Sequence, residues 1–381
     1  MGPLKGIKII EIAGIGPGPF AGMLLADMGA EVIRVERPSG GTLYAEENVR
    51  YDLLNRGKRC IGIDLKNPAG IETLLKLIEN AQGLIEGFRP GVMERLGLGP
   101  EVCLQRNPKL LFGRMTGWGQ DGPLAQRSGH DINYISIAGV LGAIGNKGEK
   151  PAIPLNLVGD FGGGGMMLAY GMVCGILETQ FSGKGQVIDC SMVEGSAILM
   201  STLYSAQQLG FWREQRGSNM LDSGSHFYNT YQTADGEYIS VGSFEAKFYH
   251  ELLAKLELTD AELPHQLDES QWDAMSEKLA NIFSSKTRDE WCEIFADSDA
   301  CFTPVLKISE AYDHPHNVAR DTFVEIEQVK QPRPAPRFSR TDNKNIQRPP
   351  AVIGQHTDEI LSELGLQTVD IDALRAAGAI L

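Results

Sequence analysis

Between residues 5 and 120 the chain alternates short apolar runs that read as strands with longer stretches that read as helices. The strand-like runs are Ile7 to Ile12, Val32 to Val35, Ile61 to Asp64, Leu84 to Glu86 and Leu110 to Met115, and Phe20 to Met28, Gly70 to Glu79 and Val92 to Leu96 lie between them. Parallel neighbours need a crossover between them, so this alternation predicts an α/β fold with a parallel sheet flanked by helices. A further strand, Gln186 to Cys190, leads into a helix from about Met192 to Gln208. Residues 1–195 are therefore expected to form one large domain.

At 381 residues the chain exceeds what one typical core serves. Near Arg216-Gly217-Ser218-Asn219 the pattern turns polar, and Phe227 to Gln232 and Tyr238 to Val241 flank Ala234-Asp235-Gly236 as a hairpin would. Amphipathic stretches follow at Phe248 to Leu256, Glu277 to Phe283 and Asp289 to Ala296. A smaller domain is expected over residues 225–310, between linkers at 196–224 and 311–329. Pro332, Pro334, Pro336, Pro349 and Pro350 then mark an extended connector, and helical spacing resumes from Thr357 to Leu364. The segment 330–381 is expected to return to the large domain.

A net charge of −14 argues against a nucleic-acid partner, which would require a basic face. The six cysteines stand singly, with no Cys-x-x-Cys pair and no zinc-site spacing with histidine, so no metal site is expected. The N-terminal residues lack the basic and apolar regions of a secretory signal, and no apolar run looks long enough to cross a bilayer. A cytoplasmic protein without a membrane partner is the expectation.

Gly14-Ile15-Gly16-Pro17-Gly18-Pro19 after the first strand, with Glu36 closing the second, invites a dinucleotide reading. Pro17 and Pro19 remove backbone donors that a pyrophosphate would use, which speaks against nicotinamide or flavin. The basic set Arg37, Arg56, Lys58, Arg59 and Arg89 suits an anionic ligand carrying several phosphates better, although scattered charges usually form a solvated face. Met166, Met167, Met172, Met192, Met200 and Met220 are a second oddity: methionine fills core gaps, but on a groove it would hold apolar chains of varied shape.

Two segments stand out for chemistry. Ser128 and Asp131 have capping-box-like spacing ahead of Ile132, Tyr134, Ile135, Ala138 and Leu141, which predicts a helix starting at Ser128 beside His130. Asp160 is expected where a strand, Leu155 to Val158, gives way to an apolar helix, with Gly162 to Gly165 allowing close approach of another group. An Asp before a helix is most often an N-cap and a lone His most often structural. Together they suggest an acid/base pair working on one carbon.

These motifs carry a resemblance over nearly the whole chain. Val35-Glu36-Arg37-Pro38, Asn55-Arg56-Gly57-Lys58-Arg59, Arg89-Pro90-Gly91, Thr116-Gly117-Trp118-Gly119-Gln120, Gly129-His130-Asp131-Ile132-Asn133-Tyr134, Asn156-Leu157-Val158-Gly159-Asp160-Phe161-Gly162-Gly163 and Pro336-Arg337-Phe338-Ser339 occur in order. The sequence resembles the α-methylacyl-CoA racemases, particularly bacterial ones, of the class III CoA-transferase superfamily. The resemblance implies a class III CoA-transferase fold: a Rossmann-like large domain and a smaller α+β domain, in an interlocked homodimer. It implies an acyl-CoA substrate, no cofactor and no metal. The activity implied is interconversion of (2R)- and (2S)-2-methylacyl-CoA thioesters by proton transfer through an enolate, within fatty acid metabolism.

By the same resemblance His130 serves the S face of the α-carbon and Asp160 the R face, Glu245 orients His130, and Asn156 is an active-site asparagine. The backbone amide of Asp131 is expected to stabilise the enolate oxygen, since helix-start donors favour developing negative charge. CoA phosphates and adenine are assigned to the basic set of Arg37, Arg56, Lys58 and Arg89, with Arg59 in the same cluster. The rival is a CoA-transferase of the superfamily, in which Asp160 would be a nucleophile; transferases lack the histidine of Gly-His-Asp, so His130 favours proton transfer.

Overall fold

The computed structural model describes residues 2–39, 44–259, 263–343 and 345–381. The chain divides into two units: Met1–Ala138, Leu155–Leu199 and Ala319–Leu381 make the first, Gly139–Pro154 and Met200–Val318 the second.

In the first unit β1 (Lys8–Ile12), β2 (Glu31–Glu36), β3 (Arg59–Gly62), β4 (Gly83–Glu86), β5 (Leu111–Thr116) and β6 (Gln186–Ser191) form one sheet in the order β3-β2-β1-β4-β5-β6. All pairings are parallel. Successive side chains point to opposite faces, and in β1 to β5 both faces are covered, which is why these strands read as largely apolar runs; the edge strand β6 is mostly exposed. Ile10, Ile33, Ile61, Leu84 and Phe112 face one core together with Ile360, Leu361 and Ile371 from the C-terminal segment. Ile9, Val32, Ile85 and Leu111 face the other. Helices α1 (Pro17–Asp27) and α2 (Pro68–Glu79) each carry proline in the first turn, where its missing N–H costs no intrahelical bond.

Three more helices frame the residues of interest: α3 (Asp131–Ile137), α4 (Met167–Ser182) and α5 (Met192–Leu199). The strand expected at 155–158 does not form. Leu155 has a φ of 58°, and Leu157–Met166 is a π-helix that runs directly into α4. A wide helical turn fits here because the glycines let neighbours touch its backbone: a Cβ on Gly163 would come 2.6 Å from the Ser196 amide, and one on Gly165 2.6 Å from the Pro17 carbonyl. The helical run Leu157–Ser182 is 26 residues long and passes, by length and composition, as apolar enough to cross a membrane. This corrects the expectation that no run reaches that length; the glycines concealed it in the sequence. Its Leu168, Met172 and Ile176 are part of the core. Met172 and Met192 are thus packing residues rather than groove residues, and Met220 packs on the core of the second unit.

The second unit is an antiparallel sheet of β7 (Tyr228–Gln232), β8 (Tyr238–Gly242) and β9 (Phe302–Val305). Its hairpin turns at Gly236, whose φ of 80° suits glycine. Tyr231, Ile239 and Val241 pack with residues of Ala246–Lys255, Trp272–Phe283 and Arg288–Phe295. Residues 139–154, expected in the large domain, belong to this unit. The Arg216 guanidinium donates to the carbonyls of Gly142 at 3.2 Å and Glu149 at 2.7 Å, and Lys147 pairs with Asp273 at 2.7 Å. The helix expected over 192–208 is two helices divided at Met200, where the chain passes from one unit to the other.

Candidate active site

In a sheet ordered β3-β2-β1-β4-β5-β6 the connections after β1 and β4 leave in opposite directions, which opens a crevice beyond the carboxyl ends of those strands. A cavity of about 620 Å³ occupies this place, lined by Gly14 and Gly16 after β1, Arg37 after β2, Asp64 and Lys66 after β3, and Phe88 after β4. That volume suits a sizeable small molecule. The glycine-proline motif singled out in the sequence is thus a wall of the crevice.

The basic cluster separates into two groups. Arg37 lines the cavity and is exposed, and Arg89 is exposed and donates to Ser128 Oγ at 2.9 Å. The other three are internal, which corrects their assignment to a ligand. Arg56 pairs with Asp27 at 2.6 Å and also donates to Gln331 and to the Pro332 carbonyl. Lys58 Nζ lies 2.7 Å from Glu11 and donates to the Pro19 carbonyl and Asn55, with the two charged side chains 1% and 0% exposed. Burial pushes the Lys58 ammonium below its usual pKa, against the pull of Glu11. Arg59 bonds Glu31, Glu359 and Glu363. The carboxylates that claim these cations are remote in sequence or scattered among many acids, so the cluster could not reveal its partners.

His130 is the N-cap of α3 and its backbone N–H donates to Asn133 Oδ1 at 3.0 Å. The helix therefore starts later than Ser128, whose hydroxyl meets Arg89 instead. Behind His130 the Tyr134 hydroxyl donates to the Gly129 carbonyl, and the Tyr134 ring meets Trp118 edge to face at 4.8 Å. A Cβ on Gly117 would overlap that ring, which explains the glycine of the Thr-Gly-Trp-Gly motif. The His130 side chain is exposed.

Asp160 sits in the first turn of the π-helix and is half-buried. Its Oδ2 accepts from Asn156 Nδ2 at 3.1 Å. Its backbone N–H donates to Asp131 Oδ2 at 2.7 Å, so the residue after His130 is tied to Asp160 itself. Gly16 completes the setting: a Cβ there would stand 3.1 Å from Asp160 Oδ2, and its φ of 76° is unfavourable for other residues. Asp160 therefore borders a residue of the cavity wall. Burial pushes its carboxyl above the usual range; the Asn156 bond and His130 oppose this, and Asp131 adds to it.

Of the predicted residues, the structure brings His130, Asp131, Asn156 and Asp160 together in the first unit. Glu245 is exposed at the N-cap of Ala246–Lys255 in the second unit. Sequence reasoning missed Gly16 and the side chain of Asp131. Gly16 had a signal, since it lies in a motif already singled out, but nothing local linked it to a residue so far along the chain. Among the described residues, no group of three or more His, Cys, Asp or Glu is placed to hold a metal ion.

The arrangement can move protons: an imidazole and a carboxylate near one another, the carboxylate bordering a residue of the cavity wall. A family model described as CoA-transferase family III matches residues 4–357. The chain is 49% identical over 370 residues to a mouse protein named alpha-methylacyl-CoA racemase, covering 97% of this chain and 95% of that one. A human protein of the same name is 46% identical over 377 residues, covering 98% and 96%. A crystal structure of a CaiB/BaiF family protein from Brucella suis superposes with a TM-score of 0.83 at 24% identity, covering 95% of this chain and 99% of that one.

Proposed function

The chain belongs to CoA-transferase family III, and we propose that it is an α-methylacyl-CoA racemase, an isomerase that interconverts the two configurations of 2-methylacyl-CoA thioesters. The observation that carries this reading is the juncture of His130 and Asp160, joined through Asp131. A hydrogen α to a thioester carbonyl is weakly acidic, so its removal needs a placed base and stabilisation of the enolate oxygen. Inversion also needs a donor on the opposite face. His130 takes the proton of the S substrate and Asp160 returns one to the other face; the R substrate runs the sequence backwards. The backbone amide of Asp131, the first residue of α3, is assigned to the enolate oxygen. The orienting of the His130 ring is assigned to Glu245. CoA is assigned to the cavity, with Arg37 and Arg89 as its cationic contacts.

The transferase reading, in which Asp160 attacks the thioester carbonyl, leaves His130 without a task. Incubating one enantiomer of a 2-methylacyl-CoA in deuterium oxide distinguishes the two. Deuterium at the α-carbon of recovered substrate and of inverted product is expected. Absence of α-deuterium in both would remove the racemase reading, and acyl exchange onto a free carboxylic acid would support the transferase.

A homodimer is part of this reading. Met166, Tyr170, Val173, Leu177 and Phe181 repeat at intervals that place them on one helical face, and all are exposed, Phe181 by 84%. A continuous apolar face of this kind on an element that also packs into the core points to protein cover. Light scattering should give twice the chain mass, and Leu177→Glu with Phe181→Glu should halve it; a monomeric native protein would overturn the dimer.

A further inference from the structure

The side chain of Asp131 has no task in the reaction set out above, which uses only its backbone amide. It is nevertheless one of the most constrained polar groups near the site. The residue is 6% exposed, Oδ2 accepts the Asp160 N–H at 2.7 Å, and Oδ1 is buried without a hydrogen-bond partner among the described residues. A Cβ on Gly159 would come 2.6 Å from Oδ2 and 2.9 Å from Cγ, so the carboxyl group is wedged against the backbone at residues 159 and 160. The Asp160 N–H lies in the first turn of the π-helix, where helix geometry supplies no acceptor. Asp131 supplies it from a different element.

Leaving a buried acceptor unpaired is costly, so the arrangement around Oδ1 calls for a reason. Asparagine would accept the same N–H without carrying a charge, so fold stability alone does not favour aspartate here. His130 does not depend on this contact: its backbone is held by Asn133, and the preceding Gly129 carbonyl by Tyr134. Asp160 has the Asp131 carboxylate at its backbone and the Asn156 amide at its side chain.

We propose that the Asp131 carboxylate is a positioning residue for the Asp160 side of proton transfer. It ties the Asp160 backbone to the helix that begins beside His130, so the two proton-carrying groups keep their separation while the α-carbon passes from tetrahedral to planar and back. Its negative charge also favours a proton on Asp160. This inference rests on the racemase reading, and it predicts an effect on one face only.

The test uses the full-length enzyme with Asp131→Ala and Asp131→Asn, each given the R and the S thioester separately in deuterium oxide. Inversion and α-deuterium incorporation are followed together. Misplacing a reacting group by about 1 Å can cost ~10²-fold. With Asp131→Ala we expect a loss of that order in inversion from either enantiomer and in exchange of the R thioester, which Asp160 must deprotonate. Exchange of the S thioester without inversion, carried by His130, should fall much less than exchange of the R thioester. Asp131→Asn keeps an acceptor for the Asp160 N–H and should recover most of the lost inversion. If Asp131→Ala does not fold, Asp131→Ser, too short to reach Asp160, is read in the same way. Equal loss on both faces, or native inversion in the short variant that folds, would overturn the inference. Native enzyme that exchanges neither enantiomer would instead overturn the racemase reading on which it rests.

Discussion

Replacing His130 with alanine is expected to slow inversion of a 2-methylacyl-CoA thioester by about 10²- to 10⁴-fold, the range that a placed general acid or base contributes. Binding of the thioester should change little. The side chain is exposed, and contacts that do not involve the ring also shape its loop: its backbone N–H on Asn133, the Tyr134 hydroxyl on the Gly129 carbonyl and the Tyr134 ring on Trp118. Loss of the ring removes the proton carrier and one half of a helix-start capping box, while the Asn133, Gly129 and Tyr134 contacts remain. The pattern of residual activity is as informative as its size. With Asp160 intact, the R thioester should still exchange its α-proton, while the S thioester should not. Parallel measurement of inversion rate and of affinity for a thioester that lacks an α-hydrogen checks both halves. Near-native inversion in His130→Ala would end the assignment of His130 as an acid/base group.

The second large effect concerns Lys58, which resembled a phosphate ligand in the sequence and is a buried ion pair in the structure. Lys58→Met is expected to cost about 3–5 kcal/mol of stability, because it strands the buried Glu11 carboxylate without its cation. Glu11 is 0% exposed and packed so closely on Gly22 that no side chain fits between them. Removing both charges, as Lys58→Met with Glu11→Leu, should restore much of the loss, since well-packed apolar groups often replace a buried pair at little cost. Denaturant unfolding of the native protein, the single variant and the double variant gives the comparison. A Lys58→Met variant with native stability and weakened CoA affinity would return Lys58 to the ligand and refute its structural role.

The elements that position the site were legible from local pattern. Ile9, Ile10, Val32 and Ile33 belong to runs buried on both faces, and such runs separated by helices can only make a parallel sheet. The motif around His130 and the glycines after Asp160 were visible as well, and the resemblance built on them agreed with the family match. The π-helix was not legible. Gly162 to Gly165 read as permission for close approach, but a helix of unusual width depends on Pro17 and Ser196 pressing from two sides, and neither is a neighbour in sequence.

The same reason separates the two kinds of cation. Arg37, Arg56, Lys58, Arg59 and Arg89 carry the same charge, and their short-range contexts do not rank them. Arg37 reaches the cavity, whereas Arg56 is consumed by Asp27 and Lys58 by Glu11. Periodicity and turn chemistry are properties of neighbouring residues, so the order of residues is enough to set the strands and most helices. Which carboxylate meets which cation, and that Asp131 holds the backbone of Asp160, depend on groups far apart along the chain being brought within hydrogen-bond reach. At that range desolvation and direct contact decide the role of a charge, and both exist only once the chain has packed.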